Sequence, residues 1–125
     1  MSLSASLKTR LGELTEAWNN LTAEDFVDNF FSPDSVILGG EMKRAACLLP
    51  ERIEVTKAMF AAAKNINLDV VKVIEHEDTV TTWLHWNIID STGSVIATMR
   101  SLTLWRSFEG TLKIFADYYT DGKLN

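Results

Sequence analysis

The sequence has few of the features that mark membrane or secreted proteins. Cys47 is its single cysteine, so no intrachain disulfide can form, and this is typical of a reducing compartment. No apolar run approaches the ~20 residues that a membrane-spanning helix needs. Residues 1–14 mix charged and apolar side chains and lack the apolar core of a signal peptide. We therefore expect a cytoplasmic protein that does not contact a membrane.

Positive charge is also scarce. The chain has 12 Lys and Arg against 17 Asp and Glu, a net charge of −5. Its basic residues are scattered among acidic ones. Because an acidic surface repels phosphate backbones, we expect no nucleic-acid partner.

Motifs for cofactors and metals are missing as well. The sequence has no glycine-rich phosphate loop, no Gly-x-Ser-x-Gly elbow, no paired-histidine zinc helix and no Cys-x-x-Cys. We expect neither a cofactor nor a metal ion.

The composition that is present suits one domain over residues 1–125, with 46% hydrophobic and 23% charged residues. The first third is predicted to be helical. Its apolar residues recur at spacings of four, three and four, which places them on one stripe: Leu7, Leu11, Leu14 and Trp18. A second helix begins at Thr22, which can cap it, and ends at residues 32–35.

The rest of the chain changes from helix to strand. A short strand over 36–38 precedes a third helix over 51–64, which Pro50 opens. Segments rich in β-branched and aromatic residues then predict four strands, at 68–75, 79–89, 95–106 and 112–119. Residues 91–93 and 108–110 have glycine last, which predicts three-residue hairpin loops. Helices followed by an antiparallel meander make an α+β fold with the helices on one face.

Two ionisable residues lie in the middle of these strands, His85 and Asp117. With three-residue loops, His85 faces Met99 and Asp117 faces Ser101, so both side chains point to the same face. A one-residue error in either loop would send them to opposite faces. His76 lies in a polar turn and is expected to be solvated.

The functional hypothesis is a His–carboxylate acid–base pair in an apolar cup. The cup would be lined by Trp83, Asn87, Met99, Ser101, Phe115 and Tyr119. The structural alternative is a core histidine and an aspartate paired with Arg100 or Arg106.

The other face of the central strand is also apolar, with Leu84, Trp86 and Ile88. We expect this outer face to form a homodimer interface.

Several stretches have a familiar order: two helices that end at Asn19-Asn20, residues 30–36, the third helix, residues 106–112 and the closing Asp117-Tyr118-Tyr119. Together they resemble the nuclear-transport-factor-two-like superfamily, and the closing segment resembles its branch of SnoaL-like polyketide cyclases and limonene epoxide hydrolases. The resemblance implies a cone of cystatin-like or SnoaL-like fold, in which a curved sheet wraps the helices around a pocket for a small apolar molecule.

The resemblance also implies site residues. Asp117 matches the acid that epoxide hydrolases keep in the last strand, while their arginine and second aspartate fall at Trp83 and His85. Their pocket tyrosine and asparagine fall at Ile37 and Gly39, and Gly39 also stands where ketosteroid isomerases keep a base. Neither full catalytic set is present.

Apolar residues of the helices complete the candidate substrate contacts, although such stripes are also ordinary core: Leu14, Trp18, Met59 and Phe60. The leading hypothesis is a cyclase, isomerase or dehydratase acting on a polyketide- or terpenoid-like substrate. Its alternatives are epoxide-hydrolase-like water activation and a non-catalytic binding or dimerisation module.

Overall fold

A computed structural model describes residues 3–124, which form three helices and five strands. In chain order these are α1 Leu3–Ala17, α2 Ala23–Phe30, β1 Phe31–Gly39, α3 Leu49–Ala62, β2 Asn65–His76, β3 Thr79–Ile89, β4 Val95–Phe108 and β5 Thr111–Asp121. The predicted α+β class is confirmed, with three helices packed on a curved sheet. Residues 1, 2 and 125 of the predicted domain lie outside the described residues.

The first two helices follow their sequence signals. Leu7, Leu11, Leu14 and Trp18, the predicted apolar stripe, are all buried. Thr22 caps α2, and its hydroxyl accepts a hydrogen bond from the backbone N–H of Asp25 at 3.1 Å.

Helix α3 begins at Leu49 rather than at Glu51, because the Glu51 carboxylate accepts hydrogen bonds from the backbone N–H groups of Cys47 and Leu48. Its C-terminal end is fixed to α1. The indole N–H of Trp18 donates to the Ala63 carbonyl at 2.8 Å. This contact holds the Trp18 ring against the end of α3.

The sheet order is β1-β5-β4-β3-β2. Strands β2 to β5 form the predicted antiparallel meander. Strand β1 starts at Phe31, directly after α2, and pairs in parallel with β5, so the sheet is mixed. This pairing sets Ile37 beside Asp117 and Gly39 beside Tyr119.

The β3–β4 hairpin has the predicted three-residue loop, with Gly93 at φ 86°. A β-bulge follows at once: Ile89 pairs with Val95 but Ile88 pairs with Ala97, which leaves Ile96 extra. The bulge shifts the register by one residue. His85 therefore faces Arg100 rather than Met99, and the prediction that it shares a face with Asp117 is wrong.

The β4–β5 hairpin departs from the prediction twice. Its loop has two residues, Glu109 and Gly110, both with positive φ (52° and 84°), as a type I′ turn requires. A bulge at Phe115 then adds a residue to β5. The two shifts leave Asp117 opposite Thr103 rather than Ser101, but still on the predicted face.

The core lies between the helices and the inner face of the sheet. The β3 residues that were predicted to face outward, Leu84, Trp86 and Ile88, lie on the inner face of the sheet. The reason is the bulge at Ile96, which shifts the pairing of β3 with β4 by one residue. Leu84 is 0% exposed, and Trp86 and Ile88 pack against the same core.

In the described part of the chain, no helix is long and apolar enough to cross a membrane.

Candidate functional site

A cavity of about 120 Å³ lies between the helices and the inner face of the sheet. It is lined by Leu14, Trp18, Phe26, Phe31, Met59, Ala62, Ala63, Ile66, Trp86, Ile88, Met99, Ile114, Asp117 and Tyr119. Nearly all of these side chains are apolar. Asp117 is the one carboxylate among them.

Asp117 sits near the middle of β5 and is 7% exposed. The Thr103 hydroxyl, directly opposite on β4, donates to Asp117 Oδ1 at 2.7 Å. Burial raises the pKa of Asp117 from 3.8 to about 6, while the hydrogen bond from Thr103 acts in the opposite direction. This carboxyl can therefore exchange a proton near neutral pH.

Thr103 belongs to a chain of hydrogen bonds that starts at another cavity residue. The indole N–H of Trp86 donates to Ser101 Oγ at 2.7 Å. Ser101 Oγ lies 2.9 Å from Thr103 Oγ1. All four side chains, from Trp86 to Asp117, lie on the inner face of β3, β4 and β5.

Tyr119 is the second polar group of the cavity, two residues beyond Asp117 on the same face. Two causes raise the pKa of its phenol: burial is the larger, and the nearby Asp117 carboxylate is the smaller. Within residues 3–124 its hydroxyl forms no hydrogen bond that satisfies normal geometry. The ring lies against Gly39, where a Cβ would come 2.7 Å from the phenol oxygen.

The structure brings together a part of the predicted site. The cavity lining includes Leu14, Trp18, Met59, Met99, Asp117 and Tyr119. Ser101 lies behind it, in the hydrogen-bond chain. Ile37 and Phe60 are core residues just outside the lining, and the Phe60 ring packs edge-on against Trp18 at 4.8 Å.

Four predicted site residues lie on the outer face instead: His85, Trp83, Asn87 and Phe115. The bulge at Ile96 accounts for the first three. His85 Nε2 accepts a hydrogen bond from the backbone N–H of Leu124 at 2.9 Å, and Asn87 Nδ2 donates to Asp69 at 2.8 Å.

The other two outer-face residues are each covered by a cation. Lys72 lies over the Trp83 ring at 5.7 Å, and the Arg106 guanidinium lies over the Phe115 ring at 5.0 Å.

The register excludes a His85–Asp117 pair, since the two side chains lie on opposite faces of the sheet.

The alternative that Asp117 is an ion-pair partner is not supported either. Arg106 pairs with Asp34 through two contacts of 3.0 Å. Arg100 donates to the carbonyl of Lys123 at 3.1 Å. Asp117 is thus a buried acid with a hydroxyl donor and no cationic partner among residues 3–124.

Sequence reasoning missed two groups of site residues. The first is the apolar wall of Phe26, Phe31, Ala62, Ala63, Ile66, Trp86, Ile88 and Ile114. The second is Thr103, the partner of Asp117. A signal for Trp86 and Ile88 was present, because their face of β3 is the more continuously apolar one.

No protein-family profile and no curated protein sequence matches this chain. Solved structures do. A ketosteroid isomerase-like protein from Erwinia carotovora atroseptica is 19% identical, with a TM-score of 0.72 over 96% of each chain. An NTF2-like protein of unknown function from Silicibacter pomeroyi is 13% identical, with a TM-score of 0.70 over 98% of this chain and 100% of that one.

An NTF2-like protein with a cystatin-like fold from Novosphingobium aromaticivorans is 10% identical, with a TM-score of 0.73 over 98% of this chain and 83% of that one. The chain therefore has the NTF2-like, cystatin-like fold. At these identities the likeness concerns the fold alone.

Within residues 3–124, no three His, Cys, Asp or Glu side chains are grouped to hold a metal ion.

Proposed function

We propose that this protein is a cofactor-independent enzyme that transfers a proton to or from a small apolar molecule, with Asp117 as the acid–base group. The observation that carries the proposal is the Asp117 carboxyl, which faces an apolar cavity and has a pKa of about 6. A base with a pKa near the operating pH combines a useful ionised fraction with a useful proton affinity. Enzyme sites commonly raise a carboxyl pKa by burial for this purpose.

The size of the cavity narrows the substrate class. An apolar cavity of about 150 Å³ in another protein holds one benzene ring, and this cavity is about 120 Å³. It therefore suits a molecule of about one small ring better than the several fused rings of a typical polyketide.

Tyr119 supplies the second half of the reaction. Asp117 removes a proton from a C–H bond next to a carbonyl, and the phenol of Tyr119 donates a hydrogen bond to the oxygen on which negative charge collects. Return of the proton from Asp117 to a different carbon completes an isomerisation, with atoms and charge balanced. The same pair of groups suits dehydration, in which the intermediate loses a hydroxyl group that takes the proton back from Asp117 and leaves as water. It also suits cyclisation, in which the intermediate attacks a second carbonyl of the same molecule and the new alkoxide takes the proton from Asp117.

Water activation on an epoxide has less support. In the limonene epoxide hydrolases that the sequence resembles, that reaction uses an arginine and a second aspartate on the strand that corresponds to β3 of this chain. The cavity-facing residues of β3 are Trp86 and Ile88, and neither is ionisable.

A binding module without catalysis is the second candidate. The observation that favours it is the lining itself, in which Asp117 is the only carboxylate and the remaining side chains, apart from Tyr119, Trp18 and Trp86, are hydrocarbon or thioether. Such a lining binds an apolar ligand whether or not a reaction follows.

The two candidates are separated by hydrogen–deuterium exchange of small ketones. Monocyclic ketones are incubated in D₂O, and loss of the α C–H signal is followed by NMR. The enzyme should accelerate exchange of at least one ring size, and Asp117→Asn should reduce that rate by about 10²–10⁴-fold. Asp69→Asn, a carboxylate on the outer face, is the matched control. Binding with no acceleration would identify a binding module.

We also propose a homodimer through the outer face of the sheet. A row of apolar side chains crosses three adjacent strands there, because Trp83 pairs with Leu102 and Leu102 pairs with Tyr118. Tyr118 remains 46% exposed. A second copy of the chain would cover this row.

A further inference from the structure

The cavity offers a bound molecule more hydrogen-bond acceptors than donors. Two of its lining side chains carry an indole N–H, and both of these groups are already used. Trp18 donates to the Ala63 carbonyl at 2.8 Å, and Trp86 donates to Ser101 Oγ at 2.7 Å. An indole has a single N–H and no acceptor, so neither tryptophan has a polar group left for a ligand.

The other polar side chains of the lining are Asp117 and Tyr119, two residues apart on the same face of β5. Oδ1 of Asp117 accepts from Thr103 at 2.7 Å. Within residues 3–124, Oδ2 and the Tyr119 hydroxyl have no hydrogen-bond partner. The phenol oxygen both accepts and donates. The cavity therefore holds two free acceptors and one free donor.

Oδ2 of Asp117 is within reach of a ligand. Among the described residues, the only fully enclosed side-chain polar atom without a hydrogen bond is Nε of Arg52. Because Oδ2 also lacks a bond there, it must retain open surface, and Asp117 lines the cavity.

Asp117 also lacks a counter-charge. The two buried cations of the core, Arg10 and Arg52, each donate to a backbone carbonyl at 2.9 Å. Among residues 3–124, the lining contains no lysine and no arginine. Burial, opposed only by the Thr103 hydrogen bond, sets the pKa of Asp117. The ionised carboxylate is thus unpaired in an apolar site, and a bound cation would offset that cost.

The rest of the wall suits a cation as well. Aromatic rings supply much of the lining: Trp18, Phe26, Phe31, Trp86 and Tyr119. The face of such a ring attracts an ammonium group, more strongly where water is excluded. The Asp117 carboxylate also acts on Tyr119, since it adds to the effect of burial in raising the pKa of the phenol. A positive charge between the two groups would reverse that effect.

We propose that the cavity binds a small primary amine in its protonated form. The ammonium group donates to Asp117 Oδ2 and to the Tyr119 oxygen, and the hydrocarbon part packs against the aromatic rings. This inference concerns the ligand class of the same cavity and does not rest on catalysis. It also makes such amines competitors of the ketones proposed above, because both would occupy Asp117.

Asp117 is the one lining group, in the described part of the chain, whose charge should change near neutral pH. On its own strand it is faced by Tyr119, whose pKa is raised. The residues that neighbouring elements bring to it do not ionise there: Ile37 and Gly39 of β1, Ser101 and Thr103 of β4, Trp86 of β3, and Leu14, Trp18, Phe26 and Met59 of the helical layer. An alkylamine stays protonated, as a lysine side chain with a pKa of about 10.4 does. Amine binding should therefore follow the ionisation of Asp117.

The test compares cyclopentylamine with cyclopentanol, which has a similar shape and no charge. Binding is followed by ¹⁵N NMR of the indole N–H groups of Trp18 and Trp86, with Trp83 and Trp105, outside the lining, as internal references. With a pKa of about 6, only about a tenth of Asp117 is ionised at pH 5. The amine should therefore bind about tenfold more tightly at pH 7.5, and the alcohol should change much less.

Asp117→Asn removes the charge and keeps the acceptor for Thr103. Its affinity for the amine at pH 7.5 should fall by at least about 30-fold, the low end for breaking a desolvated charge pair. Tyr119→Phe should weaken the amine by about tenfold, the value of one hydrogen bond to a charged group, and keep the pH dependence. Asp69→Asn, on the outer face, is the matched control and should change neither.

Equal pH dependence of the amine and the alcohol overturns the proposal, as does full amine binding in folded Asp117→Asn. Shifts of all four indoles alike would also overturn it, since they would show attraction to the acidic surface. The pH series uses the parent protein and decides the matter even if a variant does not fold. Amine binding without ketone exchange would refute the proposed function alone, and ketone exchange without amine binding would refute this inference alone.

Discussion

The phenol ring of Tyr119 lies over the Cα of Gly39, its neighbour across the parallel β1–β5 pair. A methyl group at position 39 would come 2.7 Å from both Cζ and the hydroxyl oxygen of Tyr119. A side chain at position 39 and the observed ring position therefore exclude each other. Glycine at this point is what lets β5 supply a hydroxyl to the cavity.

Gly39→Ala should displace the Tyr119 ring. We expect a stability loss of about 1–3 kcal/mol, as for overpacked sites, and a fall in ketone exchange that matches Tyr119→Phe. Denaturant unfolding and the exchange rate measure the two effects. Gly12→Ala is the control, because no atom lies within 4 Å of its added methyl. That exposed helix position should gain about 0.5–1 kcal/mol. Full exchange activity in Gly39→Ala would contradict a role for Tyr119.

Most of the fold could be predicted because each element carries its own signal. The Thr22 cap, the buried stripe of α1 and the bounds of β3 all follow from a few neighbouring residues. The parallel partner of β1 could not be read in this way. Its pairing with β5 joins residues about 80 positions apart in the chain, such as Ile37 and Asp117, and no local pattern specifies it.

The site was harder to predict because a strand exchanges faces with every residue added. Ile96 is an apolar, β-branched residue in a strand, and nothing in its type indicates a bulge. That one residue moved His85 from the predicted cavity to the outside. On β5, the shorter loop and the bulge at Phe115 each shifted the register by one residue, and the total shift of two kept Asp117 on its predicted face for a reason that the sequence did not show.

His85 should report on the C-terminal segment rather than on a ligand. Its Nε2 accepts from the backbone N–H of Leu124, so His85→Ala should speed the hydrogen exchange of that amide. Ketone exchange should stay at the parent rate. His76→Ala, in a turn with a side chain 82% exposed, is the control and should change neither quantity. Loss of turnover in His85→Ala alone would restore a catalytic reading of this residue.

The proposed dimer can be tested at the centre of its apolar row. Light scattering at micromolar concentration should give twice the 14.0 kDa of one chain. Leu102→Lys places a charge between Trp83 and Tyr118 and should give a monomer that still folds. Ile96→Lys, at a position 64% exposed beside the hairpin loop, should leave the mass unchanged. A parent protein that is monomeric at this concentration would refute the interface.

Asp117 should make the protein less stable as the pH rises. Its pKa is about 6 in the folded chain, against 3.8 as the ordinary value. The folded state thus holds its proton more tightly than the unfolded state does. The protonated carboxyl of Asp117 contributes its full stabilisation of the folded state below about pH 3.8, and this stabilisation is lost as the pH rises through 6. The loss at pH 7 is on the order of 3 kcal/mol.

Asp117→Asn keeps the shape of the side chain and its acceptor for Thr103 but cannot ionise. It should therefore be more stable than the parent at pH 7, by up to that amount, and equal to it near pH 4. Asp34→Asn provides a control of opposite sign. Hydrogen bonds from Ser32 and Arg106 lower the pKa of Asp34, so its loss should destabilise the protein at neutral pH and matter less in acid. Urea unfolding of the parent and the two variants between pH 4 and 8 measures how the free energy of unfolding of each protein changes with pH. An Asp117→Asn variant less stable than the parent at pH 7 would show that the ionised carboxylate stabilises the fold, and the argument for a desolvated acid–base group would fail.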